Sequence, residues 1–488
     1  MAELDLMALE GFLKTHPEIK CTLPSSPQYL EDKKVFLLSR MVNPLAIAHP
    51  ETAEQVSVLV QFLRSNGMKF TVRGGGHNLQ GLSIEEGALT IDMRAFTSVD
   101  IAADRETATV GAGILQEELC RTLWDNGLAT STGSIPSVGY LGWAMYGGYG
   151  PFSSNWGLGV DQIVAATLVD ANGAIVKADD NLLKVIRGAG GAFGVIVDIS
   201  IKLYPLTSLL TGIIFYDSQD INKTFCDYNV KYQEICMLGL PKQLSLQQMV
   251  VNGPPGRVFA VAFTWSSENI EEGGRWCDKI ASLGAVITNT VELTTIPNWY
   301  AGNATLIPPS MYGSFRTHSV REMTQEVTEC IGRALENMPK DPGTMLSIHQ
   351  LRTLSETPAS PSVFATRESH FMLEIVGCAT KTENAERSEQ WAVDVWEDVR
   401  KTNANNLLDR TYISLAYVDG PLQLDTLTKY FGGHTCNILT TKKNYDPENV
   451  FGLTVPRLGN LLYVFFAIGG GTGNVTLNTD TDNFIFES

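Results

Sequence analysis

Apolar residues recur along this chain with two periods, and the change from one mixture to another divides it. In residues 50–68, Val56, Val60 and Leu63 fall on one helical face. Thr52 and Gln55 make a capping box at the start of that helix, and Gly67 is its stop. Residues 69–72 read as a strand, and Leu89, Ile91 and Met93 alternate as a half-buried one. Residues 114–126 predict a second helix, with Leu115, Leu119 and Leu123 at i, i+4 and i+8 and Gly127 behind it. Val195, Val197, Ile199 and Ile201 alternate towards Tyr204 and Pro205. After Pro205 the texture differs: 210–216, 258–265 and 371–378 read as longer strands, separated by helical stretches at 268–282, 322–337 and 384–402. Grouped strands and helices of this kind predict an α+β fold with an antiparallel sheet.

Glycine clusters interrupt the first part. Phe70-Thr-Val-Arg73 runs into Gly74, Gly75, Gly76, His77 and Asn78. Three residues without Cβ allow close approach to a ligand, and consecutive amides in such a turn form an anion-binding nest. A second cluster holds Gly133, Ser137, Val138, Gly139, Gly142, Gly148 and Gly150, and Trp156-Gly-Leu-Gly-Val-Asp161 follows it. A third, Arg187-Gly-Ala-Gly-Gly-Ala-Phe-Gly194, leads into Val195. Three clusters in one region favour a large, elongated cofactor over a lone phosphate.

Four motifs carry a family resemblance: Arg-Gly-Gly-Gly-His-Asn at 73–78, Gly-x-x-Pro-x-Val-Gly at 133–139, Gly-Leu-x-Val-Asp at 157–161, and Arg-Gly-x-Gly-Gly-x-Phe-Gly at 187–194. In order and spacing the chain resembles the FAD-linked oxidases of the vanillyl-alcohol oxidase and p-cresol methylhydroxylase family, and within it the berberine bridge enzyme branch. The match covers about 43–205 and resumes at Tyr445-Asp-Pro-Glu-Asn-Val-Phe451, while Phe364-Ala-Thr-Arg367 is similar to a further family segment. The resemblance implies a two-domain FAD-binding fold of the p-cresol methylhydroxylase type. Residues 1–205 would be the first part of the FAD-binding domain and 206–427 the substrate-binding domain. Residues 428–488 would return to the first domain and end in an atypical tail.

Further roles follow from the resemblance alone. Arg73, Gly74, Gly75, Gly76, His77, Asn78, Gly133, Ser137, Val138, Gly139, Gly142, Gly148, Gly150 and Val195 would bind FAD. His77 would bond covalently to the 8α carbon of the flavin, which needs a neutral imidazole as nucleophile. Ile135 stands where bicovalent relatives carry a cysteine, and Trp143 where they carry a histidine, so the histidyl bond would be the single tether. Val138 matches the small residue that leaves room for dioxygen. Met372 falls where berberine bridge enzyme has its glutamate base; Glu374, two residues on and on the same strand face, is the candidate base, its pKa raised by burial. Tyr417 is the competing catalytic residue, and His370 reads as a turn or surface histidine. After Phe451 the usual closing segment is missing, and Asn437 replaces a common arginine.

Length and composition narrow the picture only slightly. At 488 residues the chain is too long for one ordinary core. A net charge of −17 argues against nucleic acid and anionic membranes. The eight cysteines lack framework spacing and read as buried free thiols, Cys120 among them. The apolar run 461–468 is too short to span a bilayer, and residues 1–20 do not read as a signal peptide, so a cytoplasmic location is expected. No metal site is expected.

The expected activity is oxidation of a small, mostly apolar, secondary-metabolite-like substrate. A hydride would pass to flavin N5, and dioxygen would be the acceptor. The apolar substrate is read from Trp143, Phe371 and Met372 and from a lack of clustered carboxamides. Two alternatives stand beside it: a flavin-containing cyclase scaffold without net oxidation, and a carbohydrate oxidase.

Overall fold

The computed structural model describes residues 2–40, 42–253, 256–352, 360–410, 412, 424–459, 461, 475–478 and 483–486. Two sheets share the first core. Ala46–His49, Leu89–Asp92 and Phe70–Arg73 run parallel, with Leu89–Asp92 in the middle and Lys20–Thr22 antiparallel at the edge. Parallel strands are covered on both faces, and Leu89–Asp92 is buried along its whole length rather than half-buried as its alternation suggested. A five-stranded antiparallel sheet follows, in the order Val99–Ile101, Thr107–Gly111, Val195–Lys202, Ile163–Val169, Ile175–Lys177. Helix Ala53–Ser65 packs here through Val56, Leu59, Val60 and Leu63. The Thr52 hydroxyl accepts from the Gln55 amide, but the Gln55 side chain accepts from Glu51 N–H, one residue before the box position. The second predicted helix is Gln116–Trp124, with Leu115 outside it as N-cap.

The other body is a nine-stranded antiparallel sheet. Its order is Val286–Asn289, Leu209–Tyr216, Gly256–Trp265, Leu244–Gly253, Thr344–Leu351, His370–Ala379, Tyr312–Val320, Leu407–Leu408, with Glu292–Thr294 also on Leu209–Tyr216. Helices Ile221–Met237, Ile270–Ala281, Gln325–Glu336 and Thr382–Arg400 cover one face. Strand residues alternate accordingly: Leu246, Val250, Leu346, Ile348, Phe371, Leu373 and Ile375 meet the helices. Ser245, Gln247, His349 and Glu374 look the other way, towards the first body. The α+β fold is as expected. Near its end the chain rejoins the first core, through Leu427, Tyr430, Phe431, Ile438, Leu439 and Phe451. All eight cysteines are free thiols, and Cys120 is buried. Among the described residues no helix is long and apolar enough to cross a membrane, and no cluster could hold a metal ion.

Candidate active site and cofactor cradle

The strand Phe70–Arg73 delivers the chain into the glycine turn, which packs backbone to backbone on the loop ending at Gly139. A Cβ at Gly75 would lie 2.3 Å from Gly139 N, and one at Gly139 would lie 2.6 Å from Gly75 N. Only glycine at both positions permits this approach. The amides of Gly75, Gly76 and His77 have no backbone partner among the described residues. Free amides in such a glycine turn are the donors an anion nest requires.

His77 is held on two sides. Its Nε2 is 2.9 Å from Ser137 Oγ, and its ring stacks on Phe36 with centroids 4.3 Å apart. The ring opens into a cavity, yet protein packs around the rest of it, and this desolvation pushes its pKa down to about 4. At neutral pH the imidazole is uncharged. Arg73 lies behind the turn and not in the cavity. It is fully buried, paired through Nη2 with Asp92 at 2.5 Å, and donates to the Asp32 carbonyl. Asp92 also meets Arg94 at 2.7 Å. This charged cluster braces the turn.

The cavity has a volume of about 1220 Å³ and lies between the two bodies. Gly74, Gly75, Gly76, His77, Asn78, Gly133, Val138, Gly139, Gly142 and Gly150 line it. Ser137 takes part through its bond to His77. Val195 is buried in the first core, and Gly148 packs against Gly159, so neither reaches the cavity wall, whereas Gly191, Gly194 and Ile196 do. Ile135 lines it, as does Trp143, whose indole donates to the Tyr149 carbonyl at 3.1 Å. The segment after Phe451 returns to close one end. Thr454 donates to the Gly191 carbonyl at 2.5 Å, the Val455 carbonyl accepts from Tyr146 at 2.6 Å, and Arg457 pairs with Glu85 at 2.6 Å.

Glu374 faces the cavity on the sheet side, and it has a partner that sequence reasoning missed. His349, on the neighbouring strand, brings Nε2 to 3.2 Å from Glu374 Oε2 and 2.9 Å from Ser347 Oγ. Gln247, one strand further, donates to Ser347 Oγ at 2.7 Å. Tyr149 meets the His349 ring edge-on at 4.7 Å, and burial beside the Glu374 charge raises its phenol well above the ordinary range. Register alone assembles this group, since Ser347 lies opposite Glu374 and Gln247 opposite His349. No local sequence signal marks His349.

Several expectations change here. Phe371 points into the helix-side core beside Tyr232, at 6.4 Å. Met372 shares the Glu374 face but is sealed in a small core with Leu158, Val160, Phe364 and Tyr412. Neither lines the cavity. His370 is no surface residue: it is buried at the strand start, with Nδ1 2.7 Å from the Glu368 carbonyl. Arg367 pairs with Asp161 at 2.8 Å. Tyr417 lies outside the described residues. In place of the two apolar residues, Ser245, Gln247, His349 and Glu374 put polar groups on a sheet face that Ile213, Phe215, Met249, Val251 and Val376 otherwise make apolar, while the Thr211 hydroxyl donates to the Phe263 carbonyl and pairs with Thr264. Asn298 and Asn303 add carboxamides at the rim.

The cavity suits an elongated dinucleotide. It exceeds the roughly 300–1,000 Å³ of an ordinary ligand pocket, glycine walls it, and unpaired amides would meet a pyrophosphate. Residues 44–179 match the family described as FAD binding domain. The chain is 30% identical to the FAD-linked oxidoreductase aurO of Gibberella zeae over 456 residues, 92% of this chain and 88% of that protein. It is 24% identical to chitooligosaccharide oxidase of the same organism, covering 90% and 92%. The solved structure of 6-hydroxy-D-nicotine oxidase from Arthrobacter nicotinovorans superposes with a TM-score of 0.76 at 20% identity, over 88% of this chain and 96% of that one. Cradle, sheet and relatives agree that the chain is an FAD-linked oxidoreductase and belongs to the vanillyl-alcohol oxidase and p-cresol methylhydroxylase superfamily, in its berberine bridge enzyme-like branch.

Proposed function

We propose that the chain is an FAD-dependent oxidase of a small hydroxylated substrate of the carbohydrate class, with dioxygen as electron acceptor. The observation that carries the reading is the polar row of Gln247 and His349, with Ser245 and Glu374 beside it, on a cavity face that also carries Ile213, Phe215, Met249 and Val376. A polyol needs such a row, because each hydroxyl taken out of water must find a partner. The apolar-substrate reading keeps Trp143 on the cavity wall and loses Phe371 and Met372, which point elsewhere. A relative that covers most of the chain is named for a chitooligosaccharide.

Residues 1–205 with 428–488 form the FAD part in this reading, and 206–427 the substrate part. FAD, when bound, supplies the hydride acceptor. The Gly75, Gly76 and His77 amides would hold its pyrophosphate. His77 would tether it, since an imidazole that is neutral at pH 7 keeps the lone pair a nucleophile needs. The Glu374–His349 pair would take the substrate's hydroxyl proton, and Gln247 and Ser245 would fix the ring. Val138 would leave space for dioxygen.

Two measurements test the reading. Purified holoenzyme is mixed anaerobically with N,N′-diacetylchitobiose, xylobiose, cellobiose or coniferyl alcohol, and flavin bleaching is followed; peroxide is then assayed in air. Bleaching by a saccharide is expected. Bleaching by coniferyl alcohol alone would return the reading to an apolar substrate, and product without bleaching would make the chain a non-oxidative scaffold. Acid-precipitated wild type should stay yellow and His77→Ala should release its flavin. A yellow alanine pellet would refute the tether.

A further inference from the structure

The pairing of Glu374 with His349 leaves open which of the two receives the substrate's proton, and the hydrogen bonds answer it. Both protein contacts of the imidazole go to one nitrogen. Nε2 is 3.2 Å from the Glu374 carboxylate and 2.9 Å from Ser347 Oγ. A lone pair on Nε2 would face the carboxylate's own lone pairs, whereas a proton there satisfies it. Gln247 Nε2 donates into Ser347 Oγ at 2.7 Å and holds that hydroxyl in place. In a neutral ring the carboxylate contact favours the proton on Nε2 and the lone pair on Nδ1. Nδ1 makes no hydrogen bond among the described residues and is not shut into the core, so it opens into the cavity that His349 lines. Only 13% of either side chain is exposed, which keeps the pair dry enough for its charge to matter.

Resting on the oxidase reading above, we propose that His349 Nδ1 is the catalytic base and that Glu374 is a positioning residue acting through it. As the substrate's C–H hydride leaves for the flavin, the adjacent O–H proton moves to Nδ1 and the C–O bond becomes a carbonyl. FAD, when bound, would supply the acceptor for the two electrons the substrate loses, and dioxygen would be their final acceptor, leaving as hydrogen peroxide. The imidazolium that forms keeps Nε2–H on Glu374, whose charge it neutralises. This is the work a carboxylate does behind a histidine elsewhere in acid–base catalysis. Sequence reasoning assigned the proton to the carboxylate because that residue alone could be placed by its strand.

The groups facing His349 are Glu374 on one flanking strand, Gln247 on the other, Ser347 on its own strand, and Tyr149 from the first body. Of these, Glu374 is the one whose charge responds to a conservative change. Protein labelled with [¹⁵N]histidine and observed at pH 7 to 8 should show an Nε2–H tautomer for the signal that His349→Gln removes. In Glu374→Gln that preference for Nε2–H should weaken. An Nδ1–H tautomer at position 349 would overturn the proposal, and this arm needs no substrate. With whichever saccharide bleaches wild type, His349→Ala should reduce its flavin about 10²–10⁴-fold more slowly. Added imidazole should restore part of that rate, since the cavity admits it. Glu374→Gln should lose less. A full-rate His349→Ala, or a Glu374→Gln variant more impaired than it, would give the base back to Glu374. If no saccharide bleaches wild type, the oxidase reading fails while the tautomer still decides the histidine's state.

Discussion

The cofactor cradle and the substrate face are two halves of one cavity, built by different means. The cradle is made of backbone. Gly75 and Gly139 touch through main-chain atoms, the amides from Gly75 to His77 have no backbone partner among the described residues, and His77 is the side chain proposed to hold the cofactor. The substrate face is made of side chains. Gln247, Ser347, His349 and Glu374 come from three strands, and sheet register brings them together. A backbone-made site tolerates almost no substitution, because what it needs is the absence of atoms. A side-chain-made site can be rewritten residue by residue without disturbing the sheet. The difference explains how one scaffold can keep its cofactor and change its substrate.

The largest effect should come from adding one carbon to the cradle. Gly75→Ala places a methyl 2.3 Å from Gly139 N and 2.9 Å from Ser137 O, with backbone on both sides and nothing flexible to yield. Overpacking of this kind costs about 1–3 kcal/mol where side chains can move, and more where they cannot. Gly75→Ala should purify without flavin. Gln247→Ala, a larger truncation on the other half, should keep a full complement and lose turnover. Flavin-to-protein absorbance ratios decide it: a stoichiometric Gly75→Ala would break the contrast between the halves.

The same contrast governs what could be read from the chain. Glycines, His77 and Val138 were legible because a backbone-made site must spell itself out in consecutive residues. Arg73 was legible as part of that motif, but its role was not. Nothing in Arg-Gly-Gly-Gly-His says that the guanidinium turns back to Asp92, 19 residues on. His349 was illegible for a different reason. Its partners lie at 247 and 374, and only sheet register brings them together. The helix Ile221–Met237 is absent from the expectations although Phe225, Tyr228, Tyr232 and Ile235 carry its period in plain view. Leu89–Asp92 was read as half-buried because alternation cannot tell an edge strand from one covered on both faces. Phe371 was placed on the wrong surface through the same limit, since a strand's two faces are known only once its neighbours are, whereas Met372 lies on the expected face but in a core that closes it off from the cavity.

A second, smaller effect sharpens the comparison by testing what braces the cradle. Burial alone would raise the Asp92 carboxyl, but hydrogen bonds from His49 and Arg94, with the charges of Arg73 and Arg94, hold it well below the ordinary range. Asp92→Asn leaves Arg73 buried without its counter-charge, a change that costs about 3–5 kcal/mol. The urea midpoint should fall accordingly at pH 7. The folded carboxyl is more acidic than the unfolded one, so its contribution is complete above the unfolded pKa of about 3.9 and fades as pH drops below it. Wild type and variant should therefore converge in acid. A gap that stays constant from pH 7 to pH 3 would mean that Asp92 braces the turn by shape and not by charge.

The smallest effect concerns Val138, where the two halves meet. Its carbonyl accepts from the Gln116 amide at 2.9 Å, which fixes the backbone, while its side chain lines the cavity one residue from the Ser137 that holds His77. A leucine there adds one methylene to the space proposed for dioxygen without touching the amides of Gly75 to His77. Air reoxidation of dithionite-reduced Val138→Leu should slow about tenfold, equivalent to about 1.4 kcal/mol in the barrier. Flavin content and the rate of flavin reduction should hold, because neither depends on that volume. Val138→Ala is the control of opposite sign and should reoxidise at least as fast as wild type. If all three proteins reoxidise alike, oxygen reaches the flavin by another route. If instead Val138→Leu loses flavin, the residue belongs to the cradle, and the boundary between the two halves lies further into the sheet than drawn here.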